Sequence, residues 1–346
     1  MGAVLSVFSI FAVAPASAAS QTGTGWVAAW LAAAKAAAAK SAAPKSAPVH
    51  AAVNPSNGLL KLTGTFNYSY PFMNGAFVTL AQGTTAYSAN ITVNGVSRRY
   101  LVVRPDPAPL LAPLLILLHP LGTTPEDMAD LTEVSNFVAT QGFWAVLPAG
   151  KKGQWDDNPV ANGSDDVQFI SQVIDTLIAQ GVNGQRVYAA GYSDGGFMAE
   201  RLACELSDKI AAFGVDAATL ITGQDSYCKP AVQRPKLYIL GASDPLVPYG
   251  GGLFFMNSAE QTMSFWKQQQ GCGGTVAETL PKVVNDGTTV QLTDYTGCTA
   301  GQALRLYTIE NGGHAWPGGL TQMVGKTSQN LNATGIIWAF ASGYTR

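Results

Sequence analysis

Gly191-Tyr192-Ser193-Asp194-Gly195 sets a serine between two glycines at the spacing Gly-x-Ser-x-Gly. In a chain with 37 glycines among 346 residues the pattern alone is weak, and its surroundings give it weight. The run RVYAA before it reads as a strand, and DGGFMAERLACEL after Ser193 reads as a helix. A strand, a sharp turn and a helix are what a nucleophile elbow needs, because side chains near the serine backbone would block the turn. The N-terminus of that helix would point at the reaction centre and favour developing negative charge. A serine hydroxyl is a poor nucleophile near neutral pH, so a base must take its proton and another group must hold that base.

Histidine is the most economical base in this range, and the chain has three. His50 stands in an Ala/Pro-rich stretch, and His119 ends the apolar run PLLILLHP. His314 lies in NGGHAWPGG, just past the run LRLYTIE. The order nucleophile, acid, histidine selects His314, the only one C-terminal to Ser193. The acid then belongs between them, just past a strand. Asp244 in KLYILGASDPLVPYGG fits, and would accept the Nδ1–H of His314, fix its tautomer and stabilise the imidazolium. Asp216 in FGVDAATL is the rival, with a turn or cap as its simpler role. An oxyanion needs two backbone N–H groups. That of Asp194 is one, and Leu121 supplies the other, since Pro120 has no N–H. His119 would then shape the loop.

The elements that must position these groups are legible as an alternation. Two alternating runs flank Asn94-Gly95, a hairpin signal. PLLILLHP, FWAVLP, RVYAAG, KLYILG and ALRLYTIE read as strands. TPEDMADLTEVSNFVATQGF has helical spacing with Thr124 as cap, and SDDVQFISQVIDTLIAQG is a helix that Gly181 ends. Helices also fit around AEQTMSFWKQQQG and ATGIIWAFASGY. Strands alternating with helices predict an α/β fold, a mainly parallel sheet with helices on both faces. Its functional groups would lie past the carboxyl ends of the strands.

Composition narrows the classes. At 47% hydrophobic, 12% charged and net −2, the chain can bury one large α/β core and shows no basic face, so no nucleic acid and no anionic membrane is expected as partner. Residues 1–19 resemble a signal peptide, with an apolar run leading to Ala16-Ser17-Ala18, although no Lys or Arg precedes Lys35. Export is the expectation. Residues 20–85 form an Ala/Pro-rich segment and extension, and 86–346 the catalytic domain. Cys204, Cys228, Cys272 and Cys298 are even in number and form no metal-type CxxC pair. Three connectivities are open, as are four free thiols; pairing of neighbours, Cys204 with Cys228 and Cys272 with Cys298, is favoured. Each bond would contribute about 3 kcal/mol in the chain-entropy view. Asp165 and Asp166 read as helix capping rather than a metal pair, so neither metal nor cofactor is expected.

The blocks LLHPLG, QWDDNPVANGSDDVQFI, RVYAAGYSDGGFMAERLACE, ILGASDPLVPYGGG and YTIENGGHAWPGG together resemble the secreted polyhydroxybutyrate depolymerases and the related feruloyl and acetylxylan esterases. The resemblance spans roughly Ser88 to Tyr344. It implies the α/β-hydrolase fold, a triad of Ser193, Asp244 and His314, and the same two disulfides. Two positions depart from the usual pattern: Pro120 follows His119 where glycine is usual, and Asp194 stands where a small or amide residue is usual. What it implies is a serine carboxylester hydrolase working through an acyl-enzyme, with a hydroxyalkanoate polyester or its oligomers as first substrate. Feruloyl or acetyl esters on plant polysaccharide come next. A polyamide such as polyaspartate is a further alternative, and an inactive polymer-binding protein is the rival from another class. Trp155, Trp316, His119 and Tyr249 are the candidate substrate-contacting residues, Trp316 on its place two residues past the base.

Overall fold

Strands of five to eleven residues, most of them apolar and followed by a helix, build the sheet of this protein. The computed structural model describes residues 78, 80–158, 165–252, 256–319 and 324–346. The expected signal peptide at 1–19, most of the 20–85 segment and His50 lie outside the described residues. The strands are β1 (Thr84–Val93), β2 (Val96–Pro105), β3 (Ala112–Leu118), β4 (Trp144–Pro148), β5 (Val182–Tyr192), β6 (Ala212–Asp216), β7 (Lys236–Gly241), β8 (Gly274–Thr279), β9 (Thr289–Thr296) and β10 (Leu304–Glu310). They form one sheet in the order β1-β2-β4-β3-β5-β6-β7-β10-β9-β8. The centre, from β4 through β3, β5, β6 and β7 to β10, is parallel. Both margins are antiparallel, β1 and β2 at one edge and β9 and β8 at the other.

The helices are α1 (Pro125–Leu131), α2 (Val134–Gln141), α3 (Asp165–Ala179), α4 (Asp194–Glu205), the short α5 (Gln224–Tyr227), α6 (Ala259–Gln269) and α7 (Ala333–Ala341). Alternate residues of each central strand serve opposite faces. Leu114, Ile116 and Leu118 of β3 join the core under α3, α4 and α6, together with Val187 and Ala189 of β5. Leu115 and Leu117 join the other core with Tyr188 and Ala190, beneath α1, α2 and α7. A strand buried on both faces has no polar alternation, which is why these runs read as continuous hydrophobics.

The hairpin at Asn94-Gly95 has both turn residues at positive φ, 50° and 77°, as a two-residue hairpin turn requires. Thr124 caps α1 through a reciprocal pair with Asp127: the Asp127 N–H donates to Thr124 Oγ1 and the Thr124 N–H donates to Asp127 Oδ2. The single helix expected after it is two. Thr132 Oγ1 donates back to Met128 O at 2.7 Å, and Glu133 turns left-handed with φ 48° before α2 starts. The β8–β9 hairpin was not foreseen. It falls between β7 and β10 along the chain but lies outside β10 at the edge of the sheet, and β8 is mostly exposed on both faces, so it lacks the apolar period that marks a strand.

Both expected disulfides are present, Cys204–Cys228 and Cys272–Cys298, spanning 24 and 26 residues. They suit an oxidising compartment. Among the described residues no helix is long and apolar enough to cross a membrane.

Candidate active site

Ser193 sits between the end of β5 and the first residue of α4, with φ 57° and ψ −119°. Few L-residues adopt such a backbone, and holding one there costs about 1–3 kcal/mol. The surroundings enforce it. The Ser193 N–H donates to Asp216 O at 2.9 Å, and the Phe197 N–H donates to Ser193 O at 3.0 Å. The flanking glycines are required by close approach: a Cβ on Gly191 would lie 1.9 Å from Gly195 O, and one on Gly195 would lie 2.1 Å from Leu118 O. The elbow is thus pressed directly against the end of β3.

His314 follows β10 and is pinned on both sides of its backbone. Its N–H donates to Val324 O at 2.7 Å, and its carbonyl accepts from the Val324 N–H at 3.1 Å and from Tyr192 Oη at 3.0 Å. Asp244 follows β7. The three side chains form a line: His314 Nε2 is 2.8 Å from Ser193 Oγ, and His314 Nδ1 is 2.7 Å from Asp244 Oδ2. The other oxygen, Asp244 Oδ1, accepts the N–H groups of Leu246 at 2.8 Å and Val247 at 2.9 Å. With its carboxylate so held, Asp244 accepts a hydrogen bond from the Nδ1–H of His314, leaving Nε2 to accept from the serine hydroxyl. All three residues are buried. In that low-dielectric setting each hydrogen bond is stronger, and each unmatched charge more expensive, than in water.

Around this line the loop after β3 is tightly tied. Pro120 O accepts from Thr123 Oγ1 at 2.8 Å and from His119 Nδ1 at 2.9 Å. His119 Nε2 accepts the Gly150 N–H at 2.9 Å. Both nitrogens of His119 are therefore spent inside the protein, and burial pushes its pKa down to about 4. It clamps the loop after β3 to the loop after β4 as a neutral ring. The amides of Gly122 and Thr123 donate to Gly153 O and Pro120 O. Those of Leu121 and Asp194 have no recorded acceptor among the described residues.

Trp155 is enclosed between these loops. Its indole N–H donates to His119 O at 2.8 Å, and its backbone N–H donates to Asp194 Oδ2 at 2.9 Å. The Asp194 carboxyl thus faces the loop after β4. Burial and the neighbouring Asp157 hold its pKa well above the usual carboxylate range. This partnership, 39 positions apart in the chain, had no sequence signal. Asp166 likewise pairs with Arg98 and accepts the Asp156 N–H at 2.8 Å, a fastening role rather than capping alone.

Trp316 goes elsewhere. It is 1% exposed, belongs to the core under α7, and its indole N–H donates to Thr334 Oγ1 at 3.1 Å. The wall of an acyl cleft, its expected place, is not where the ring points. Tyr249 is half-buried, with its hydroxyl 2.9 Å from Thr308 Oγ1. Among the described residues no group of three His, Cys, Asp or Glu side chains is placed to hold a metal ion.

No protein-family model matches the sequence. Over 220 residues the chain is 31% identical to feruloyl esterase B of Piromyces equi, covering 59% of this chain and 40% of the relative. Over 158 residues it is 28% identical to a bifunctional acetylxylan esterase/xylanase of Neocallimastix patriciarum, covering 45% of this chain and 22% of the relative. The chain therefore spans less than half the length of either relative. Among solved structures it is similar to an acetyl xylan esterase from Aspergillus awamori, with a TM-score of 0.50, 12% identity, and coverage of 66% of this chain and 94% of that one. In sequence the chain is similar to feruloyl and acetylxylan esterases, and its fold is that of the α/β-hydrolase esterases.

Proposed function

We propose that this protein is a serine carboxylester hydrolase that removes acyl groups, feruloyl first and acetyl second, from plant cell-wall polysaccharide. The observation that carries the chemistry is the hydrogen-bonded line Ser193–His314–Asp244, at 2.8 and 2.7 Å. In this reading the serine oxygen attacks the ester carbonyl while His314 Nε2 takes its proton. The imidazolium is stabilised by Asp244 and returns the proton to the leaving sugar hydroxyl. A water, deprotonated by the same histidine, then releases the carboxylic acid from the acyl-serine. The Asp194 and Leu121 amides are the candidate oxyanion donors, and the N-terminus of α4 adds to the field there.

The substrate class rests on the printed activities of the relatives, feruloyl esterase and acetylxylan esterase/xylanase. They favour polysaccharide esters over the hydroxyalkanoate polyester that the sequence blocks suggested first. The two disulfides agree with an exported enzyme meeting such a polymer.

The test is product analysis after incubation with feruloylated arabinoxylan, acetylated xylan, polyhydroxybutyrate and polyaspartate side by side. Ferulate release exceeding the other products is expected. Ser193→Ala should lower turnover about a millionfold with folding retained. Full activity in that variant would end the triad reading, and preferential release of hydroxybutyrate would restore the polyester.

A further inference from the structure

Tyr192 is the last residue of β5 and directly precedes the nucleophile. It shares a strand face with Tyr188 and Ala190, so its ring enters the core beneath α1, α2 and α7. There it is fully buried and meets the histidine loop. Its hydroxyl donates to the His314 carbonyl at 3.0 Å, and its ring centre lies 5.2 Å from that of the imidazole, tilted by 34°. Trp316, two residues past the base, stands edge-on to the same ring at 6.2 Å. The Trp316 indole is itself anchored, donating to Thr334 Oγ1, which in turn donates to Thr132 O at 2.8 Å. The other backbone bonds at 313 and 314 run to Lys326 and Val324, in the segment that follows the loop. They hold the loop to its own continuation. The Tyr192 bond differs from them, because it runs to the segment that carries the nucleophile.

Resting on the triad reading above, we propose that Tyr192 is a positioning residue that fixes the base relative to the nucleophile, with Trp316 as its backing. The need follows from the topology. Ser193 ends β5 and His314 follows β10, and β6 and β7 lie between those strands. Three strand spacings separate the two by about 14 Å at the level of the sheet, so the loop after β10 must reach back to bring Nε2 to 2.8 Å from the serine oxygen. In the free enzyme that contact is one of the links holding the reach. Once the acyl group is on Ser193, the oxygen has no proton to donate and the link is gone. Asp244 still sets the turn of the ring, but the backbone bonds decide where the ring stands. The Tyr192 bond involves no reacting atom, so it survives acylation. His314 is thereby still in place when a water must be deprotonated to release the acid.

The experiment follows Tyr192→Phe, which keeps the ring and removes only the hydroxyl. His314 O keeps the Val324 N–H as donor, so no buried acceptor is stranded. Active sites are counted by stoichiometric labelling with a fluorophosphonate, and turnover of p-nitrophenyl acetate is expressed per active site. Mass spectrometry of quenched samples gives the share of enzyme present as acyl-Ser193. Turnover should fall about five- to tenfold, the loss of one buried hydrogen bond, with an acyl-Ser193 share at least as large as in wild type. A purely structural role would lower the urea midpoint and leave turnover per active site unchanged. Turnover within twofold of wild type, or a loss in which the acyl-Ser193 share shrinks, would overturn the proposal. Trp316→Phe reaches the same contact from the loop side. It lacks the N–H that Thr334 accepts, and should lower turnover about threefold without raising KM. A raised KM at unchanged turnover would instead return Trp316 to the substrate cleft. Retained activity in Ser193→Ala would remove the triad reading itself, an outcome separate from these.

Discussion

At the scale of single residues, the site depends on a backbone that only close packing can hold. Ser193 at φ 57° and ψ −119° is strained, and release of the elbow would relieve it. What prevents release is the contact of Gly195 with the end of β3. Gly195→Ala puts a methyl 2.1 Å from Leu118 O, far inside any non-bonded carbon–oxygen contact. That oxygen is backbone, so no flexible side chain can yield. Either α4 lifts away from β3 or the strand end bends, and both move the hydroxyl of Ser193 from His314. The expected result is a loss of about 3 kcal/mol or more in urea unfolding, with ester turnover falling by at least about a hundredfold, as for a misplaced reacting group. Wild-type stability in this variant would show that the elbow is not under this constraint.

At the scale of elements, the three proposed triad groups come from three strand ends, β5, β7 and β10, that neighbour one another through β6 in the parallel centre. This is why the sequence could place Ser193, Asp244 and His314 near one another: each lies within a few residues of the end of an apolar run, and such runs are strands whose ends share one edge. The groups around them could not be read so. Trp316 looked like a cleft residue from its place two after the base, but its side chain is drawn into the core by Thr334, a partner 18 positions on in another element. His119 and Asp194 are likewise fixed by Gly150 and Trp155, on a loop far along the chain. Pairings of that kind leave no period in the sequence. The β8–β9 hairpin was missed for a different reason: it is half outside the core, and only Val290 and Leu292 of β9 are buried. Besides the pairing of β9 with β10, it is fastened by Cys272–Cys298, which ties the turn after α6 to the segment after β9. Replacing both cysteines by serine should lower global stability by about 3 kcal/mol, seen as a lower urea midpoint. Turnover of a soluble ester should persist, because no proposed triad element lies within the hairpin. Unchanged stability would mean that β9 is held by its pairing with β10 alone.

At the scale of the whole molecule, the edge of the sheet that carries the proposed triad gathers several buried ionisable groups that prefer to be neutral. Asp157, Asp194 and Asp216 have raised pKa values and His119 a lowered one, each chiefly through burial. The two kinds oppose each other in their effect on stability. Asp157 moves from an ordinary 3.8 to about 7 on folding. Between those values the folded protein holds a proton that the unfolded chain has released, so stability falls as pH rises through that window. The move corresponds to about 4 kcal/mol, shared with the adjoining Asp194. His119 moves from 6.5 to about 4. Between those values the unfolded chain is protonated and the folded one is not, so stability rises with pH, by about 3 kcal/mol in all. In wild-type protein the two slopes largely offset between pH 4 and 6.5, and the carboxyl slope continues alone up to about 7. Single variants should separate them. Asp157→Asn should gain stability over wild type progressively from pH 4 to 7 and hold a constant gain above. His119→Gln, which keeps an acceptor for the Gly150 N–H, should gain relative to wild type as pH falls from 6.5 to 4. Denaturant unfolding at half-unit pH intervals measures both difference curves. Their opposite slopes are the expected result, and two flat lines would mean that these groups are solvated in the native state and that the edge of the sheet is far wetter than its packing implies.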